Sequence, residues 1–124
     1  MSQRTVSRRR QIRYDVSRSG LATVEFAFPR PGMPPQRFSL IDIGTSGIRF
    51  AFGEELAGLE VGATIGDVTI HVGACDMRGE LVIMHLTPVS GSIAHCGALF
   101  YPASDDELIK LKGVTAGLSA AEPA

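Results

Sequence analysis

Along most of this chain, apolar and polar residues alternate in short segments, and glycine or proline separates one segment from the next. Residues 21–28 are the plainest case: Val24, Phe26 and Phe28 fall on one side, and Thr23, Glu25 and Ala27 on the other. That period of two belongs to a half-buried antiparallel strand. The proline-rich run at 29–35 ends it, because proline donates nothing to a ladder. Residues 38–42 and 47–52 read as the next two strands. Gly44-Thr45-Ser46-Gly47 between them is a tight turn whose glycines permit positive φ. Residues 54–58 read as a loop, 61–65 and 68–72 as strands, and Asp76-Met77-Arg78-Gly79 as a turn. Residues 81–86 form an apolar run of strand length, Ser90-Gly91 a turn, and 93–101 the last long strand, stopped by Pro102.

Ser104 followed three residues later by Glu107 has the form of a capping box. Leu108, Leu111, Thr115 and Leu118 follow at helical spacing, which predicts an amphipathic helix near 105–112 that frays past Gly113. About six or seven short strands and one terminal helix make a mainly β fold, a small antiparallel β-barrel with the helix across one opening. At 124 residues the chain suits one domain. The expected division is an arm at 1–20, a barrel with its helix at 21–118 and a tail at 119–124.

Charge is unevenly spread. Residues 1–18 hold six arginines and a single acid, Asp15, whereas the rest holds six basic and twelve acidic side chains. A basic arm on an acidic body argues for local anion recognition and against a broad nucleic-acid surface. The arm uses arginine and no lysine, which suits bidentate contact with phosphate or a guanine edge and stacking on a base. Its low apolar content predicts an arm that is mobile when empty. Ile12, Tyr14 and Val16 alternate and are able to begin pairing with the sheet.

Other classes find little support. No apolar stretch reaches bilayer length and no signal-peptide core follows the start, so no membrane insertion and a cytoplasmic location are expected. Cys75 and Cys96 read as free, buried thiols. His71, His85 and His95 with the two cysteines match no zinc spacing, so no metal is expected. No nucleophile–base pair, P-loop or GxSxG is present, so the chain is not read as an enzyme.

Two further patterns carry a resemblance. Arg9-Arg10-Gln11-Ile12-Arg13 fits RxxxR and is followed by Tyr14 and Val16; Asp42-Ile43-Gly44-Thr45-Ser46-Gly47 fits (D/N)xSxxG except at one position. With Gly97-Ala98-Leu99-Phe100 and a helix after it, the set resembles the PilZ domain family, bacterial receptors for cyclic di-GMP, over residues 8–112. The resemblance implies a split-barrel fold, no further cofactor, and a ligand held by Arg8, Arg9, Arg10, Arg13, Asp42, Gly44, Ser46 and Gly47. It also implies that an arginine just before RxxxR, here Arg8, accompanies two stacked ligand molecules per chain. The departure is Gly44, where the family has serine.

Cyclic di-GMP offers two phosphates and two guanine edges, each with N7 and O6 as paired acceptors that a guanidinium fork fits. Asp42 is able to accept from the guanine N1–H and N2–H2 pair, and backbone N–H groups at Gly44 and Gly47 to approach the ligand closely. The expected output is an arm that folds over the ligand and relays its presence to an unidentified protein partner. Gly44 motivates an alternative, a PilZ-like protein–protein adaptor, in motility or polysaccharide secretion, that binds no nucleotide; Gly44→Ser separates the two. A barrel that binds single-stranded nucleic acid is a third reading, but too few aromatics are available for a stacking platform.

Overall fold

A computed structural model of the chain describes residues 12–18 and 20–121. Seven strands precede one helix: β1 (Tyr14–Asp15), β2 (Ala22–Phe26), β3 (Gln36–Ile43), β4 (Gly47–Phe52), β5 (Thr64–Val72), β6 (Cys75–Ser90), β7 (Ile93–Pro102) and α1 (Asp105–Ala121). All pairings are antiparallel, and the order β3-β2-β5-β6-β7-β4 is closed by a further β3–β4 pairing into a six-stranded barrel. β1 is the extra strand. It pairs Tyr14 with Ile43 and Asp15 with Asp42, beyond the point where β2 leaves β3 at Ser39.

Alternation builds the core. Ala22, Val24 and Phe26 of β2, Phe38 and Leu40 of β3, and Ile48 and Phe50 of β4 point inward and are buried, as are Cys96, Ala98 and Phe100 of β7. The Phe26, Phe38 and Phe50 rings meet at centroid distances of 5.2 to 5.9 Å. Each such side chain contributes roughly 1.5–3 kcal/mol on burial. α1 packs on β6 and β7 and inserts Leu111, fully buried, while the buried Thr115 hydroxyl donates to the Leu111 carbonyl at 3.1 Å. No helix among the described residues is long and apolar enough to cross a membrane.

Several expectations change. Asp76-Met77-Arg78-Gly79 is not a turn: all four lie inside the 16-residue β6, paired with Val68–His71 of β5. The turn is four residues earlier, at Val72–Cys75, where Gly73 takes φ 59° and Val72 pairs with Cys75. Gly79 is glycine because a Cβ there would run into the Tyr101 carbonyl and the Phe100 ring. The two strands at 61–65 and 68–72 are one strand, β5, bulged between Ile65 and Val68, with Asp67 at φ 53°. The loop at 54–58 contains a 3-10 turn, Glu54–Leu56. α1 runs 17 residues, through the predicted fray and into the predicted tail, because Leu111, Thr115 and Leu118 keep packing on the barrel past Gly113. Cys75 is free but only half-buried; Cys96 is free and buried.

Candidate functional site

Two of the polar side chains on the outer face of the barrel, Asp42 and His85, are placed there by β-bulges. In β3, Phe38 and Leu40 point inward, and strict alternation would send Asp42 after them. Leu40 pairs with Phe50, but the next pair is Asp42 with Arg49, so Ile41 is an extra residue. The bulge turns Asp42 outward opposite Arg49, and Ile43 opposite Ile48 resumes the inward set. β6 repeats the device: Ile83 pairs with Ala98 inside the barrel, then His85 pairs with Gly97, leaving Met84 as the extra residue. His85 thereby joins the outer face. Bulges re-aim side chains in this way.

Asp42, 8% exposed, is the centre of an ion-pair group. Its Oδ1 accepts from Arg13 Nη1 at 3.3 Å, and its Oδ2 accepts from Arg49 Nε at 3.0 Å and Nη2 at 2.9 Å. Arg13 reaches it because β1 lies on the end of β3, where Val16 N–H also donates to the Ile41 carbonyl at 2.9 Å. Both guanidinium groups remain partly in water, with side chains 36% and 48% exposed, so they are held in place while keeping donors free.

Beside this group lies a pocket of about 420 Å³ lined by Arg13, Asp42, Arg49, His85, Thr87, His95 and Gly97. Gly97 lies between Arg49 on β4 and His85 on β6; it is buried, and the His85 ring packs where a Cβ on Gly97 would stand, 3.4 Å away. The volume falls in the range of small-molecule sites. A second cavity of about 410 Å³ lies at the other end of β3, between the proline-rich loop and the start of β5, with Phe28, Pro29, Met33 and Ile65 in its walls. It holds no comparable group of charges. Among the described residues no cluster of His, Cys, Asp or Glu is placed to hold a metal ion.

Of the residues singled out from the sequence, Arg13 and Asp42 meet at the pocket. Arg8, Arg9 and Arg10 lie outside the described residues. Gly44, Ser46 and Gly47 are not in the pocket wall. Neither glycine has positive φ; both are close-approach positions instead. The Gly44 N–H donates to the Gly47 carbonyl at 2.9 Å. A Cβ on Gly44 would stand 2.7 Å from the Ile12 carbonyl oxygen, and one on Gly47 would run into the Ala98 carbonyl. The Ser46 carbonyl accepts from Phe100 N–H at 3.0 Å, tying the turn to β7.

Sequence reasoning missed Arg49, His85, Thr87, His95 and Gly97. Arg49 had a signal: it is the charged residue at an outward position of the otherwise apolar segment Gly47–Phe52. His85 had none, since its apparent parity is that of the core residues Leu81 and Ile83.

No family model matches the sequence, and no curated protein matches it. Solved structures do. The complex of Klebsiella pneumoniae MrkH with cyclic di-GMP aligns with a TM-score of 0.79 at 13% identity, covering 90% of this chain and 52% of MrkH. The PilZ domain of Escherichia coli YcgR, with cyclic di-GMP, aligns at 0.72 and 15%, covering 91% of this chain and 92% of that domain. The Bacillus subtilis inhibitor of motility, MotI, aligns at 0.65 and 14%, covering 91% and 53%. The chain thus spans about half the length of MrkH and MotI and nearly all of the isolated YcgR domain. With its closed six-stranded barrel, its extra N-terminal strand and its C-terminal helix, the chain has the fold of a PilZ domain.

Proposed function

We propose that this domain is a receptor for cyclic di-GMP, a binding module and not a catalyst. The observation that carries the reading is the Arg13–Asp42–Arg49 group at the edge of a pocket on the outer barrel face. Two guanidinium forks fixed by one carboxylate suit a ligand with two phosphates and two guanine edges. Asp42 takes one guanidinium donor on Oδ1 and two on Oδ2. A carboxylate has about four lone-pair sites, so it retains capacity for a guanine N–H. Its first task in this reading is to hold the two forks apart and aimed. Arg8, Arg9 and Arg10 complete the clamp from the arm, with Arg8 admitting a second, stacked ligand. Closure of the arm is the signal that a partner protein reads. The neighbour named as an inhibitor of motility makes motility the first process in which to look for that partner.

The adaptor alternative takes its motive from Gly44, and the Ile12 carbonyl packed above that glycine supplies a different reason for it. Titration calorimetry with cyclic di-GMP tests the receptor reading. The wild-type protein is expected to bind saturably, at two ligands per chain if Arg8 has the role given to it; one per chain removes the stacked pair. Arg13→Ala is expected to weaken binding at least about tenfold, the loss of one charge-assisted contact. Its thermal stability should change by under about 1 kcal/mol, because the pair is partly exposed. A folded Arg13→Ala protein that binds as the wild type does overturns the assignment.

A further inference from the structure

The chain has three histidines, and they differ in one respect. His71 is fully used: its Nδ1 lies 2.7 Å from Asp76 Oδ1 and its Nε2 2.7 Å from Glu25 Oε1. His85 and His95 have no hydrogen-bond or ion-pair partner among the described residues, and both line the outer pocket. They come from different strands. His85 stands on β6, where its bulge turns it outward over Gly97, and His95 stands on β7 opposite Thr87. The charged groups that share the pocket with them are Arg13 of the arm, Asp42 of β3 and Arg49 of β4. No other described ionisable side chain lines it. Among the described residues that line the pocket, these three fixed charges sum to a single positive charge.

We propose that His85 and His95 are ligand-contacting residues that form the wall facing the arginines, and that they make binding of the dianionic ligand tighten as pH falls. The proposal rests on the receptor reading above and adds to it two residues and a regulation. A neutral imidazole offers one N–H and one acceptor; a protonated one offers two N–H donors and a positive charge. Imidazole is the side chain whose charge changes between about pH 5 and 8, a range in which neither guanine nor a phosphodiester titrates. Bound phosphate favours the protonated form, so ligand binding takes up protons, and by linkage lower pH strengthens binding.

The test is calorimetry with cyclic di-GMP from about pH 6 to pH 8 at constant ionic strength, on wild type, His85→Gln, His95→Gln and the double variant. Glutamine keeps a donor and an acceptor but never gains charge. Wild type is expected to lose about tenfold in affinity across the range, as one charge-assisted contact is removed. Each single variant should lose part of that slope and the double variant all of it. Because both side chains point out of the core, the variants should unfold at the wild-type temperature. If cyclic di-GMP binds with no pH slope, or the slope survives in the double variant, the inference is overturned while the receptor stands. If cyclic di-GMP does not bind, the receptor reading is overturned, and inorganic pyrophosphate then decides the wall. Shifts of the His85 and His95 ring resonances on adding pyrophosphate, lost in Arg13→Ala, keep it as an anion site; unmoved resonances overturn it.

Discussion

Gly44 shows how a single missing side chain changes meaning with its surroundings. In sequence it is a motif serine lost. In space its α-carbon lies beneath the Ile12 carbonyl, where a Cβ would stand at 2.7 Å, tighter than side chains tolerate against backbone. A serine there has to lift the chain just before β1, and with it Arg13 from Asp42. Gly44→Ser is therefore expected to weaken cyclic di-GMP binding rather than create or improve it. It should also destabilise the fold by about 1–3 kcal/mol, as overpacking does. Calorimetry and thermal unfolding read both effects. Tighter binding with unchanged stability would return Gly44 to the role of a missing ligand contact. Asp42 makes the converse point: its place between two arginines, not any capping of its own turn, accounts for its burial.

At the scale of elements, the helix is attached by half of the capping box expected for it. Ser104 Oγ accepts from Glu107 N–H at 3.3 Å, as such a box requires. The Glu107 carboxylate does not return to Ser104. It accepts from the Arg78 N–H on β6 at 2.7 Å and pairs with Lys110 Nζ at 3.4 Å, so it joins the helix start to the barrel. The Arg78 backbone bond, ahead of Lys110, holds the Glu107 pKa below its ordinary value of 4.5. A carboxylate depressed in the folded state adds stability that is present above the unfolded value and is lost as pH falls through the folded one. Wild type should therefore shed stability on its acid side, below about the ordinary glutamate value, by a step that Glu107→Gln lacks. Melting temperatures from about pH 3 to pH 7 give the comparison, and parallel profiles for the two proteins would refute it. The bulges in β3 and β6 act at the same scale: each shifts one strand by a residue and carries one polar side chain from the core parity to the pocket.

For the molecule as a whole, barrel closure isolates the interior from solvent chemistry. Burial pushes the Cys96 thiol up to about 12, so it is protonated in the native state at neutral pH and has no thiolate to react. A thiol reagent is expected to label the half-exposed Cys75 quickly and Cys96 only at the rate of global unfolding; fast labelling of both would mean that the barrel opens locally at β7. What the sequence determined alone is what depends on neighbours along the chain. Alternation placed Val24, Phe26, Phe38, Leu40 and Phe50 in the core, proline and glycine placed most strand ends, and helical spacing placed Leu111 and Thr115 against the barrel. Arg13 and Asp42 were legible as candidates because short motifs mark them; that they pair was not. What only the tertiary structure decided is what depends on a partner strand. Asp76–Gly79 looked like a turn because polar and glycine residues cluster there, yet its glycine answers a carbonyl on β7. A bulge is a mismatch between two strands and has no signature in either, so the outward turn of His85, and the assembly of Arg49, Gly97 and two histidines into one wall, existed only once the barrel had closed.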